Sequence, residues 1–128
     1  MAVLRAGLSP KGFQMSRDVM KLNRFLGDLV GGPHILGEWS YIFCVFGTPS
    51  MSEPWGWQIF GHHLCVSCLV IEGQMVLSPL FWGAEPYQAD EGPFAGIRLF
   101  EDEERAGLEL MRSLNSAHQE KVIVAHSI

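Results

Sequence analysis

Residues 55–85 of the chain read WGWQIFGHHLCVSCLVIEGQMVLSPLFWGAE. This stretch holds three of the four tryptophans, two adjacent histidines and two of the three cysteines, and its aromatic and β-branched residues favour strands. Glu72-Gly73 within it is typical of a two-residue hairpin turn. We therefore predict one long strand over residues 55–71 and an antiparallel return strand over residues 74–82.

A third strand and two helices flank this hairpin. Residues 38–46 (EWSYIFCVF) are rich in aromatic and β-branched residues, which predicts the first strand. Apolar residues at helical spacing predict one helix over residues 16–30 and another over residues 102–115, whose acidic first turn suits the helix dipole. The order predicts an α+β fold: an antiparallel β-meander flanked by an N-terminal and a C-terminal helix, in a single domain over residues 1–128.

Two further segments have less regular sequences. Residues 83–96 hold three glycines and two prolines, which predicts a long, lid-like loop above the sheet. The tail, residues 119–128, contains a Val-Ile-Val run that fits either a helix extension or an added strand. The sequence leaves both alternatives open for the tail.

Composition limits the classes of partner. Apolar residues make up 48% of the chain and charged residues only 18%, which predicts apolar surface covered by a ligand or by a second subunit in a homodimer. A net charge of −5 with scattered Lys and Arg predicts no nucleic-acid binding. The apolar runs fall short of the roughly 20 residues that a membrane-spanning helix needs. The start of the chain lacks the apolar core of a signal peptide, so we predict a cytoplasmic protein with free cysteines.

Strand pairing assigns side chains to the two faces of the predicted sheet. A tight turn at residues 72–73 puts His62 opposite Gly83 and His63 opposite Trp82, and centring the preceding loop places Tyr41 near His62. Adjacent residues on a strand point to opposite faces, so the two histidines separate. One predicted face holds Gln58, Phe60, His62, Leu64, Glu85 and Tyr41. The other holds Trp57, Ile59, His63, Cys65 and Trp82.

The first of these faces is the better candidate for catalysis. His62 can transfer protons near neutral pH, Glu85 could orient or charge it, and Gln58 or Tyr41 could stabilise an oxyanion. His63 is the second candidate for the same role. The predicted substrate-binding residues are Trp55, Trp57, Phe43, Phe60, Phe81, Trp82 and Tyr87. Against this stands a structural interpretation, in which the histidines are hydrogen-bonded scaffolding and the tryptophans belong to the core.

Cys65-Val66-Ser67-Cys68 has the spacing of a redox motif but not its expected setting. Redox pairs of this type lie at a helix N-terminus, whereas a spacing of three on a strand sends the two sulfurs to opposite faces. His63 and Cys65 share a predicted face and could bind a metal, but no third or fourth ligand stands out, since His34, His118 and His126 are scattered. We predict no metal site and no cofactor.

Three motifs in order resemble an uncharacterised family. Residues 57–64 (WQIFGHHL), residues 79–86 (PLFWGAEP) and the acidic helix from Glu101 look like the family catalogued as domain of unknown function 3500. The resemblance runs from about Leu8 to the C-terminal helix. Similar proteins occur in fungi and bacteria, and the resemblance to the fungal ones implies a place in small-molecule, secondary metabolism rather than a particular reaction. Family members are usually longer on both sides, which implies that this chain is a shortened core version.

The sequence supports three hypotheses about function. The leading one is a cofactor-independent isomerase, cyclase, lyase or hydrolase that uses histidine acid/base chemistry on a small apolar metabolite. The second is a non-catalytic ligand-binding or protein-interaction module. The third is a metalloenzyme that uses the His-His strand.

Overall fold

A computed structural model of the chain describes residues 1–125. The helices are α1 (Ala2–Gly7), α2 (Pro10–Leu29), α3 (Glu101–Ser113) and α4 (Ser116–Val122), with a 3₁₀ turn at Gly92–Phe94. The strands are β1 (Tyr41–Phe46), β2 (Trp55–Gly61), β3 (Leu64–Ile71) and β4 (Gln74–Trp82). They form one antiparallel sheet in the order β1-β2-β3-β4. The predicted α+β class, an antiparallel sheet with helices on both sides of it in the chain, is confirmed.

The long strand predicted over residues 55–71 is wrong, because the chain turns back at His62-His63. Gly61 pairs with Leu64, so the two histidines are the turn residues between β2 and β3, and His63 adopts a left-handed φ of 60°. A continuous strand would send Ile59 and Leu64 to opposite faces. The turn places both in the core, where they are 7% and 1% exposed. Burial of both apolar halves therefore favours a hairpin.

The hairpin between β3 and β4 turns as predicted. Glu72 and Gly73 both have positive φ, 51° and 74°, the backbone of a type I′ turn. Further along, the register shifts by one residue between Val66 and Cys68. Leu64 therefore pairs with Trp82, where the sequence predicted His63 in that position. At this shift Ser78 and Pro79 of β4 lie opposite Ser67, and a proline within a strand is the local signal of a bulge or a sheet edge.

The first strand is shorter than predicted, since it begins at Tyr41 and not at residue 38. Residues 37–40 form a turn instead, in which the Gly37 N–H donates to Ser40 Oγ at 3.0 Å and the Ser40 N–H donates to the Gly37 carbonyl at 3.2 Å. Because these backbone groups bond within the turn, pairing with β2 begins only at Tyr41. It also lies against α2, which matters for the candidate site.

Helix α2 starts earlier than the predicted residue 16. Ser9 is its N-cap and accepts a hydrogen bond from the Gly12 N–H at 3.1 Å, and Pro10 occupies the first turn, where its missing N–H costs nothing. Ser16 lies inside the helix and is fully buried. The apolar residues of α2 that contribute to the core are Val19, Met20, Leu22 and Phe25.

The core lies on the face of the sheet that α2 covers, and two other segments complete it. Leu4 of α1 is fully buried, and Ala89 and Leu99 are 3% and 7% exposed. The predicted loop at residues 83–96 thus packs on the core through Ala89, whose N–H donates to the Ile97 carbonyl at 2.9 Å. An isolated bridge between Gln88 and Arg98 supports it.

Helices α3 and α4 contribute no buried residue. Leu108, Met111 and Leu114 recur at the helical spacing that is typical of a core-facing stripe, but none of them is buried, and Leu108 is 47% exposed. Gln119 joins the two helices by donating to the carbonyls of Met111 and Leu114, both at 3.0 Å. Residues 119–122 of the tail are therefore helical, while residues 126–128, with His126, lie outside the described residues.

Within residues 1–125, no helix is both long enough and apolar enough to span a membrane.

Candidate active site at the histidine turn

His62 and His63 form the end of the β2–β3 hairpin, and both neighbouring strands hold this turn. The Tyr41 hydroxyl of β1 donates to the His62 carbonyl at 3.0 Å. The Gly83 N–H, just after β4, donates to the His63 carbonyl at 2.8 Å. The turn is therefore fixed at both of its backbone carbonyls, although the His62 residue itself is exposed.

The two imidazole rings stack on each other. Their centroids are 3.8 Å apart and their planes are inclined by 32°. A regular strand would have separated the rings, so the turn has the opposite effect from the one predicted. The turn therefore brings together the two histidines that the sequence predicted as candidate catalysts.

Asn23 of α2 anchors the His62 ring. Asn23 Oδ1 lies 2.9 Å from His62 Nδ1, and Asn23 Nδ2 donates to the Gly37 carbonyl at 2.8 Å. The asparagine is 3% exposed, which makes it one of the few buried polar residues. Sequence reasoning missed Asn23, although an amide within the apolar stripe of α2 was a usable signal.

Burial, together with the neighbouring His62, favours a neutral His63. Burial lowers the pKa of His63, the charge that His62 can carry lowers it further, and the Glu85 carboxylate acts in the opposite direction. Glu85 is exposed and lies in the irregular segment after β4. Its charge acts on His63, whereas the sequence predicted that Glu85 would orient or charge His62.

Tyr41 has a structural task in this arrangement. Its ring covers Gly61, where an added Cβ would lie 2.6 Å from Tyr41 Cδ1. Its single O–H proton is donated to the His62 carbonyl, so the predicted oxyanion contact would require that this bond break. Burial raises the pKa of Tyr41 to about 12.

The raised pKa of Tyr41 leads to a testable pH dependence. The chain has two tyrosines, so in a Tyr87→Phe variant Tyr41 is the sole phenol. We expect its absorbance titration to show ionisation near pH 12 in the folded protein and near 10 in urea. Because the unfolded chain ionises first, the stability from this group is full below about pH 10 and is lost as the pH rises toward 12. Ionisation near 10 in the folded state would contradict burial of this hydroxyl.

Gln58 and Phe60 are not part of this arrangement. They lie on the face of the sheet turned away from α2, which we call the outer face; Gln58 pairs with Ser67 and Phe60 with Cys65. Gln58 Nε2 donates to Ser67 Oγ at 2.8 Å. The prediction that they share a face with Tyr41 is wrong, because Tyr41 pairs with Gly61 and not with His62.

Most predicted substrate-binding aromatics have structural contacts elsewhere. Trp57 is 4% exposed in the core and touches Phe43, with ring centroids 6.2 Å apart. Trp82 Nε1 donates to Ser16 Oγ at 2.8 Å, and Trp55 Nε1 donates to the Ser50 carbonyl at 2.9 Å.

Of the other predicted substrate-binding aromatics, Phe81 is near the turn. A Cβ added at Gly83 would lie 3.1 Å from Phe81 Cζ and 3.5 Å from His63 Cδ2. Tyr87 instead lies under Arg98, with the guanidinium carbon 5.3 Å from the ring centroid.

The cysteines and carboxylates do not form a metal centre among residues 1–125, where no three His, Cys, Asp or Glu side chains cluster. Cys65 and Cys68 pair with Phe60 and Trp57 respectively, so they point to opposite faces as predicted. Both are free thiols, as is Cys44.

A cleft opens beside the turn formed by residues 37–40. Its volume is about 540 Å³, and its lining includes the charged residues Arg24, Asp28 and Glu38 together with Trp39, Ser40, Pro93 and Phe94. Pro93 and Phe94 belong to the loop predicted as a lid. The cleft reaches Gly37, whose carbonyl accepts the Asn23 bond, so it adjoins the support of His62.

Comparison with known proteins confirms the resemblance read from the motifs. The family model described as "Protein of unknown function (DUF3500)" matches residues 1–128, which is the whole chain. No curated protein and no solved structure matches the chain.

Proposed function

This chain belongs to the family of proteins of unknown function DUF3500, and from its own side chains we propose that it is an acid/base catalyst centred on His62. The observation that carries the proposal is the stacked His62–His63 pair. His62 is exposed, and its Nδ1 is held by the buried amide of Asn23. A histidine that is fixed at Nδ1 has Nε2 available for a substrate.

The reaction class follows from what such a group does. An imidazole exchanges protons near neutral pH, which suits an isomerisation, cyclisation, elimination or hydrolysis without a cofactor. The neutral state favoured for His63 keeps a second positive charge away from His62. Phe81 beside His63 supports a small and largely apolar substrate.

A proton-exchange screen tests this proposal. Wild type and His62→Ala are incubated in D₂O with a panel of ketones, and separately with activated esters, and NMR follows deuterium uptake and hydrolysis. The proposal expects turnover by the wild type on at least one class and its loss in His62→Ala. Equal turnover by the two proteins would overturn it.

A second candidate function is homodimer assembly through the outer face. None of the four strands contains a charged residue. The exposed apolar side chains on this face away from the histidine turn are Ile42, Phe46, Leu69, Ile71 and Val76, which are 43–58% exposed. Each presents on the order of 100 Å², so the patch is about as large as the largest on ordinary monomers.

We assign a second copy of the chain as the occupant of the outer face. A face without charges offers a charged partner nothing to pair with, whereas a two-fold axis lets an apolar patch meet itself. We also propose a cytoplasmic location, in keeping with three free thiols, and no nucleic-acid partner.

Substitution of Leu69 by Lys tests the dimer. The side chain is 44% exposed on the outer face, so a charge there should disfavour self-association without entering the core. Leu110→Lys, at a 63% exposed position of α3, is the matched control. Sedimentation should show a dimer for wild type and control and a monomer for Leu69→Lys. A monomeric wild type, or an unchanged Leu69→Lys dimer, would contradict the assignment.

A further inference from the structure

Asn23 is a buried amide whose two ends both have partners. It lies on α2 between the buried residues Leu22 and Phe25, where a polar group is costly unless its hydrogen bonds are made. One end meets the Gly37 carbonyl at 2.8 Å and the other meets His62 Nδ1 at 2.9 Å. The amide therefore links α2, the turn at residues 37–40 and the histidine turn.

The Gly37 contact fixes which way the amide points. A backbone carbonyl can only accept, so the Asn23 atom that faces it must be the NH₂ group. The reversed amide would place two oxygen acceptors 2.8 Å apart. The Gly37 N–H donates to Ser40 Oγ at 3.0 Å, so the carbonyl that orients the Asn23 amide belongs to a hydrogen-bonded turn.

The orientation of the amide in turn fixes the proton on His62. With NH₂ directed to Gly37, the atom 2.9 Å from His62 Nδ1 is the amide oxygen Oδ1, which can only accept. Nδ1 must therefore be the donor. In a neutral imidazole the proton is then on Nδ1, and Nε2 carries the free lone pair.

We infer that Asn23 is the positioning residue that holds neutral His62 as the Nδ1–H tautomer and so makes Nε2 a base at the start of the reaction. The catalytic meaning rests on the proposed function, whereas the tautomer does not. In the first step a substrate C–H or O–H bond breaks, its proton goes to Nε2 and its electron pair stays on the substrate. The substrate class is thus one with an acidic proton, such as a carbon acid next to a carbonyl.

Two variants separate this role from simple support of the fold. Both Asn23→Ala and Asn23→Asp remove the donor to Gly37, but only the aspartate keeps an oxygen facing His62 Nδ1. Its second oxygen then faces the Gly37 carbonyl, so Asn23→Asp should also be less stable than wild type. A purely structural asparagine would make the two variants alike. A positioning asparagine would make them differ at the His62 ring.

Long-range ¹H–¹⁵N NMR of the histidine rings above their titration range measures the tautomer directly. Wild type and Asn23→Asp should show His62 protonated at Nδ1, Asn23→Ala should lose that preference, and the His34 and His118 signals should not change. With a substrate from the screen, kcat of Asn23→Ala should fall about 10- to 100-fold with little change in KM.

A wild-type His62 protonated at Nε2 would overturn the inference, and so would an unchanged tautomer in Asn23→Ala. If Asn23→Ala does not fold, the wild-type spectrum still decides. If the tautomer is as stated but His62→Ala retains full turnover, the proposed function fails while the assignment of Asn23 stands.

Discussion

Replacing Gly27 with alanine should lower the free energy of unfolding by about 2–3 kcal/mol. Gly27 is buried on α2 where the chain crosses back at residues 33–36. A Cβ there would collide with the Leu36 carbonyl oxygen and would lie 3.0 Å from Pro33 Cα. Both are backbone atoms, so the neighbouring segment cannot relieve the contact by a rotamer change.

Gly107→Ala is the matched control for this prediction. Gly107 is also in a helix, α3, but an added Cβ would meet nothing within 4 Å. Alanine is the better helix former, so this variant should be more stable by about 0.5–1 kcal/mol. Urea unfolding measures both. If the two variants changed stability by the same amount and sign, the close crossing at Gly27 would be wrong.

The Gly27 crossing also supports the candidate site. It holds residues 33–36 against α2, and Gly37, which follows at once, receives the Asn23 amide. A shift of residues 33–36 would move the Gly37 carbonyl, which orients the Asn23 amide. We therefore expect the tautomer preference of His62 to weaken in Gly27→Ala and to be unchanged in Gly107→Ala.

Local chemistry decided the elements that the sequence predicted well. Glu72-Gly73 has the composition of a tight turn with positive φ, and β4 occupies residues 74–82 as expected. Apolar spacing located α2 but not its start. Ser9-Pro10 is the actual cap, while Ser16 turns inward and accepts a bond from Trp82.

Tertiary burial decided what the sequence could not show. His62-His63 lacks the Gly, Asn or Pro that normally marks a turn, and the chain turns there because Ile59 and Leu64 both need the core. The same turn separates Gln58 from the histidines and stacks the two rings. A helical apolar stripe, as in α3, likewise does not reveal whether anything covers it.

The site was therefore only partly predictable. The sequence singled out His62, His63 and Glu85 by residue type; the two histidine rings stack on each other, and the charge of Glu85 acts on His63. The contact between His62 and Asn23 could not be predicted from the sequence, because those residues are 39 positions apart and meet only when α2 packs on the sheet. The same holds for the bond between Tyr41 and the His62 carbonyl.

His62→Ala has the largest expected effect on activity. Loss of a positioned general acid/base typically lowers the rate about 10²- to 10⁴-fold. His63→Ala should lower it less, since that ring stacks on His62 and has a pKa lowered by burial. His118→Ala is the control, because His118 lies on α4, outside the core and the histidine turn.

The most direct test of His62 as the acid/base is the rate of deuterium uptake, or of ester hydrolysis, by wild type, His62→Ala and His118→Ala side by side. The account predicts that His62→Ala loses at least about 10²-fold in kcat while His118→Ala keeps the wild-type rate. A folded His62→Ala protein that turns over at the wild-type rate would contradict it.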